Sequence, residues 1–327
     1  MIEIKHFDIA KKSWCKKADT TTIGPMQSEY FFDTRVFNEL HYQNAQNVYE
    51  INIWDQDKYI SRFFIGLRDG EAMLPYSAPF QYFSSPNKKT FEQIQTNVLA
   101  LDEILKLLDV RKATISPPPV EYDLSWLAYF NNRLQKLESI MLKHYELNNF
   151  QLLSQWSCFN DYFDSLSHSV RKNFRKSEEN KLTFECTEAS FQDAYNVIEK
   201  NREQQGYPLK VSPSQMDKIF NRFQDRCQSF VVKHKDLVCA GAICFHITKD
   251  CAQVIYWGDL RDKSKLGSMA CLVVNLTKYY IEKEFRLLDI GPSSLNGEPN
   301  EGLIRFKTNN ACHTSLKPIY EWKNERL

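Results

Sequence analysis

No apolar run in this sequence approaches the roughly 18 residues a membrane helix needs, and the opening residues Met1 to His6 lack the apolar core of a signal peptide. The expectation is a cytoplasmic chain. No C-x-x-C pair occurs among the nine cysteines, an odd count. Cys239, Cys244 and Cys251 lie nearest together, but Cys244 falls inside the apolar run Val238 to Ile247, which reads as reduced core thiols rather than zinc ligands. His168, His234, His246 and His313 follow no metal-ligand spacing, so no metal is expected. A Walker loop, an H-E-x-x-H helix and a Ser-His-Asp order are also missing, and with them three familiar routes to phosphoryl transfer and hydrolysis. The formal net charge is +1, which gives no global attraction to a polyanion; any basic surface has to be local.

What is present is an ordinary globular composition, 43% hydrophobic and 25% charged, over 327 residues. That length is comfortable for two cores. Val48 to Trp54, Tyr59 to Leu67 and Glu71 to Tyr76 are rich in β-branched and aromatic residues and are joined by turn sequences, so they read as an antiparallel meander. Thr90 offers an N-cap to a helix through Leu108, with apolar residues at steps of three and four. A strand from Lys112 to Ser116, a helix around Leu127 to Met141 and a strand from Phe150 to Trp156 follow.

After a helical region from Phe159 to Glu179, a strand at Leu182 to Cys186 and two helices, the same series returns. Ser229 to His234, Leu237 to Ile247 and Cys251 to Gly258 form a meander. Helix Ser268 to Glu284, strand Leu287 to Ile290, helix Asn300 to Asn309 and strand His313 to Trp322 complete it. Both halves read β-β-β-α-β-α-β without a residue-level repeat. The expected class is α+β, with domains at 1–150 and 151–327, the second carrying the active site. In that second half an apolar run closes on Asp289-Ile290-Gly291, followed by an open loop through Asn296 and Gly297 and then a basic helix, the pattern that places polar groups at the end of a sheet.

This doubled order resembles two tandem GNAT-like acyltransferase domains, each a mixed, mainly antiparallel sheet flanked by helices. The resemblance is to the proteins grouped with FemAB peptidyltransferases and with BioF2-like or CelD-like acetyltransferases. Leu166 to Lys176, Leu288-Asp289-Ile290-Gly291 and Gly302 to Lys307 carry it, with a weaker match at Leu74 to Phe80. Where Fem proteins usually have Ile and a Gly or Ala, this chain has Phe174 and Ser177. It also lacks the heptad run of the coiled-coil arms that some of them carry for tRNA, although armless relatives exist.

Acyl transfer requires a held donor, a stabilised oxyanion and a route for one proton. The resemblance implies that Lys307, in the Phe-Lys motif, sits beside the attacked carbonyl as a cation; at the strand ends, Tyr256 or Asp259 is the candidate proton relay, and Asp289, beside Gly291, the candidate to orient a substrate amine. Arg171 and Arg175 lie four apart on one helix face, a spacing suited to phosphates; with Lys176, Trp257 and Arg305 they form the candidate acceptor site. A solvated basic face complemented by Glu178 and Glu179 fits Arg171 and Arg175 equally well. Single-domain GNAT enzymes cradle the CoA pyrophosphate at a glycine-rich helix start. The matching register here, Ser264 to Met269, keeps only Gly267, with Lys265 and Ser268 beside it, and Lys263 and Lys265 as partial compensation. The implied co-substrate is acyl-CoA and the implied acceptor an amine on a small or nucleotide-linked molecule, such as a cell-envelope or sugar-linked precursor. Aminoacyl-tRNA is the alternative donor, and a non-catalytic binding protein on the same fold is the alternative outside enzymes.

Overall fold

The computed structural model describes residues 2–8, 13–14, 30–55, 57–86, 90–187 and 191–324. The chain divides into two compact units, Met1–Glu146 with Leu316–Leu327, and Leu147–Ser315. Unit 1 begins with β1 (Ile2–Asp8), β2 (Ser13–Trp14), α1 (Arg35–Leu40), β3 (Asn47–Asp55), β4 (Lys58–Arg68) and β5 (Glu71–Leu74). It continues with α2 (Phe91–Leu107), β6 (Lys112–Ile115), α3 (Leu124–Leu134) and the start of β7 (Ile140–Leu152). Unit 2 takes in the end of β7, α4 (Phe159–Ser165), α5 (His168–Glu179), β8 (Leu182–Thr187), α6 (Gln192–Gln204) and α7 (Pro213–Arg222). The meander β9 (Cys227–His234), β10 (Leu237–His246) and β11 (Cys251–Asp259) follows, then α8 (Ser268–Glu282), β12 (Leu287–Pro292), β13 (Ser294–Leu295), β14 (Glu298–Pro299) and α9 (Glu301–Asn309). The last strand, β15 (His313–Lys323), runs from unit 2 into unit 1.

In unit 1 the sheet order is β2-β1-β3-β4-β5-β6-β15, and in unit 2 β7-β12-β11-β10-β9-β8. Most of the described pairings are antiparallel; β5·β6 and β11·β12 are parallel, each bridged by the helix between them. The class is α+β, as the element order implies.

Several local readings change. The helix expected around Leu127 to Met141 ends at Leu134, and Met141 and Phe150 both lie in β7, which stops at Leu152. The single helix expected over Phe159 to Glu179 is two, because Ser167 is extended and its hydroxyl accepts from the Val170 N–H, capping α5. The open loop through Asn296 and Gly297 is a hairpin tip, both residues having positive φ (54° and 84°), as a type I′ turn requires. The final strand, expected to complete the second series, pairs Tyr320–Lys323 with Lys112–Ile115 of unit 1, while Asn148–Leu152 of β7 take the place beside β12.

The core of unit 2 is built around α8. Leu272, Leu276 and Tyr280 are fully buried against small residues of β10 and β11: Ala240, Ala242, Cys244 and Ala252. Each of those leucines contributes about 1.5–3 kcal/mol of burial. On β10, Gly241 lets α6 approach, since a Cβ there would lie 2.7 Å from Ala194 Cα. Central β10 is thereby covered by a helix on each face.

Candidate active site in unit 2

The parallel ladder between β11 and β12 has three rungs, Cys251–Leu287, Ala252–Leu288 and Gln253–Asp289, and stops there. Strand β11 runs on to Asp259, still paired with β10, and β12 runs on to Pro292, still paired with β7. Both strands bulge just past the last rung: Ile255 has no partner between Ile243–Tyr256 and Cys244–Val254, and Ile290 none between Asp289–Phe150 and Gly291–Asn149. A bulge bends its strand and sharpens the local twist. Two bulges at one height let the strands diverge.

Lys307, on α9, lies at this opening and is only 2% exposed. Its ammonium donates to the carbonyls of Gly291 (2.7 Å) and Pro292 (2.9 Å). Burial lowers its pKa from the usual lysine value to about 8, an effect opposed by the nearby charge of Asp289. An ammonium has three hydrogens, so one remains beyond the two carbonyls. Asp289 is fully buried, and its oxygens accept from Asn148 Nδ2 (3.1 Å), Gln253 Nε2 (2.8 Å) and the Gly291 N–H (2.8 Å). That last bond, with φ of +77° at Gly291, sets the turn whose carbonyls Lys307 grips. Cys312 neighbours this pair, and burial pushes its thiol up to about 12, so it is not a thiolate nucleophile near neutral pH.

A second group lies at the start of α8. Gly267 is left-handed (φ +88°), and a Cβ on it would lie 2.3 Å from Asn173 O and 3.2 Å from Ser177 Cβ. The start of α8 is therefore clamped against α5. The first intrahelical bond is Cys271 N to Gly267 O, which leaves the N–H groups of Ser268, Met269 and Ala270 without helical acceptors. Ser268 is buried and its hydroxyl donates to Asp259 Oδ2 (2.8 Å). Beside this turn is a cavity of about 220 Å³, bounded by α5 (Ser169, Asn173), Asp259, the first turn of α8 and the end of α9 (Phe306, Asn310).

No known family profile matches the sequence, and no curated protein does. Solved structures do match. The structure of FemX superposes with a TM-score of 0.67 over 90% of this chain and 92% of its own, at 10% identity. The fold is that of FemX. The C-terminal domain of a protein described as a lysylphosphatidylglycerol synthetase, from Agrobacterium fabrum, follows with a TM-score of 0.56 over 90% of this chain and 89% of its own, at 12% identity. L-PGS from Bacillus licheniformis also gives 0.56, covering 85% of each chain at 11% identity. At such identities the likeness is one of fold, and it agrees with the double-GNAT, FemAB-like architecture expected from the sequence.

Within this FemX fold the sequence-derived residues fall into separate groups. Lys307 and Asp289 come together. Gly267 and Ser268 come together at the cavity, while Lys265 is exposed and Lys263 pairs with Asp262 at 3.0 Å, so neither lines it. Trp257 meets Phe306 edge-on, with centroids 5.7 Å apart, and so packs toward α9. Tyr256 faces the other way, into the surroundings of Tyr195 and Arg202 of α6, and burial raises its pKa; among the described residues no contact joins it to Lys307 or Asp289. Arg175, Lys176 and Arg305 are exposed, whereas half-buried Arg171 donates to Asp164 O (2.9 Å) and closes the end of α4. Among the described residues none of these cations has an acidic partner within ion-pair distance.

Sequence reasoning missed Asn148, Gln253 and Asn310. The first two hold Asp289 from neighbouring strands; Asn310 lines the cavity. Their amides stand within or beside ordinary strand and helix patterns, and only strand pairing brings the first two to Asp289.

Proposed function

We propose that this protein is an acyltransferase that moves an acyl or aminoacyl group from an activated thioester or ester onto an amine, at the open end of β11 and β12. The observation that carries this reading is the interrupted ladder past Gln253–Asp289 with the buried Lys307 ammonium at its mouth. An extended acyl arm entering there meets backbone groups that the ladder leaves unused. The remaining N–H of Lys307 then supplies positive charge where the attacked carbonyl becomes an oxyanion. Asp289, whose oxygens are already engaged, acts as a positioning residue: it fixes the Gly291 turn and helps keep Lys307 protonated.

Two donor classes follow from the resemblance, acyl-CoA and aminoacyl-tRNA. The relatives in fold include a protein named for lysylphosphatidylglycerol synthesis, an aminoacyl product, which favours an aminoacyl donor as a second reading. Arg171, Arg175, Lys176 and Arg305 are the candidate contacts for a phosphorylated acceptor or an RNA backbone. The test is transfer to a panel of amines from acetyl-CoA and from charged tRNA by the wild-type chain and Lys307→Met. Methionine keeps the volume without the charge. A loss of roughly 10²–10³ in rate is expected, by analogy with removal of an oxyanion donor. An unchanged rate would remove Lys307 from the chemistry, and no transfer from any donor in the wild type would rule the reading out in favour of a binding protein.

A further inference from the structure

The cavity at the start of α8 has the wrong charge for the ligand such a helix start usually takes. Three N–H groups and the positive end of a 15-residue helix invite an anion. Among the described residues, however, no Lys or Arg lines the cavity, and Asp259 does. The Asp259 carboxylate is bound to the Ser268 hydroxyl of that first turn, so the protein has already placed its own anion there. Burial raises the Asp259 pKa and the Ser268 hydroxyl opposes the rise; no basic side chain contributes. A pyrophosphate entering would meet this carboxylate with no Lys or Arg in the described lining to offset it.

The rest of the lining fits a different guest. Asn310, one of the lining residues, is 2% exposed, and its Oδ1 is a buried acceptor with no hydrogen-bond partner. Asn173, Asn309, Ser169 and Ser264 add further neutral acceptors, and Phe306 adds an aromatic ring. One carboxylate, several neutral acceptors and a ring are the chemistry that receives a primary ammonium. At about 220 Å³ the cavity holds roughly seven water volumes, the size of an amino-acid residue and below the range for a drug-sized ligand.

We propose that this cavity is an ammonium subsite, with Asp259 as counter-ion and Asn310 as acceptor, and that Asp259 sets donor choice by excluding a pyrophosphate. This deepens the transferase reading and rests on it for the meaning of the bound amine: either the α-ammonium of an aminoacyl donor or the amine of the acceptor before it loses its proton.

Calorimetric titration of the full chain tests it with four probes: L-alaninamide for the aminoacyl group, n-butylamine for a bare amine, N-acetyl-L-alaninamide for an uncharged equivalent, and coenzyme A. The expected result is that one or both ammonium probes bind, while N-acetyl-L-alaninamide and coenzyme A do not. Binding of alaninamide alone assigns the donor; binding of butylamine assigns the acceptor. Asp259→Asn should weaken ammonium binding roughly tenfold or more, the scale of a charged hydrogen bond. Asn173→Lys, at an exposed position on α5, should do the same by charge repulsion in a protein whose melting temperature is unchanged. The proposal is overturned if no ammonium probe binds, if both variants bind as the wild type does, or if wild type prefers coenzyme A. Because the Lys307→Met assay is independent, Lys307-dependent transfer from an acyl-CoA together with failure here would discard this subsite alone.

Discussion

Helix α2 follows β5 in unit 1 as α8 follows β11 in unit 2, yet the two junctions are finished in opposite ways. In unit 1 the parallel ladder runs the whole length of β5, from Glu71–Lys112 to Leu74–Ile115, and the Ser116 N–H extends it to Leu74 O at 2.7 Å. Helix α2 is closed by a reciprocal capping box, Thr90 accepting from Gln93 N and Gln93 Oε1 accepting from Thr90 N. In unit 2 the ladder stops after three rungs and α8 starts on a glycine, with its first N–H groups beside a cavity. The same topology is zipped and capped in one unit, open and uncapped in the other. Backbone groups left unused are costly when buried; unit 2 keeps them where unit 1 satisfies them, and this difference is what points to unit 2 as the place of the candidate site.

The contrast can be broken by substitution. The largest stability effect is expected at Gly267, where alanine meets both a left-handed φ and the Asn173 carbonyl at 2.3 Å. Gly267→Ala should cost roughly 2–4 kcal/mol in denaturant unfolding; a loss below about 1 kcal/mol would show that the α5–α8 clamp is loose. Next comes the pH dependence of stability. The Lys307 pKa is depressed on folding, so its penalty is fully present below about 8 and is relieved as pH rises from there toward the unfolded value of 10.5. Relative to Lys307→Met, wild type should gain on the order of 2–3 kcal/mol across that window. A flat difference would mean that the ammonium is not desolvated. The smallest effect belongs to unit 1: Thr90→Ala should cost about 1 kcal/mol and leave transfer rates unchanged, whereas any large loss of rate would move part of the chemistry into unit 1.

Much of the architecture was legible from sequence. The meanders are bounded by turn residues, and α2 announces itself through Thr90 and the apolar spacing of Ile94, Val98, Leu101 and Leu105. The destination of β15 was not legible, because a strand's partner is a long-range choice that its own residues do not encode. The site was legible as a region and less so as a set of contacts. Lys307 stands in an amphipathic helix where a lysine normally faces water; its burial follows from the Gly291 and Pro292 carbonyls, supplied by another element. Tyr256 and Trp257 are adjacent on β11 and so point to opposite faces, and the bulge at Ile255 decides which of them faces α9. With this bulge Tyr256, one of the two residues expected to relay a proton, points away from the face that Trp257 shares with α9.

The central claim is that the Lys307 ammonium at the open end of unit 2 stabilises the transition state. The direct measurement is transfer to hydroxylamine, an acceptor already neutral at pH 7, from an activated ester or thioester across pH 6 to 10, for wild type and Lys307→Met. The wild-type rate should fall as pH rises through about 8, and the variant should be slower by roughly 10²-fold with no inflection there. Equal rates, or the same pH profile in both proteins, would contradict it.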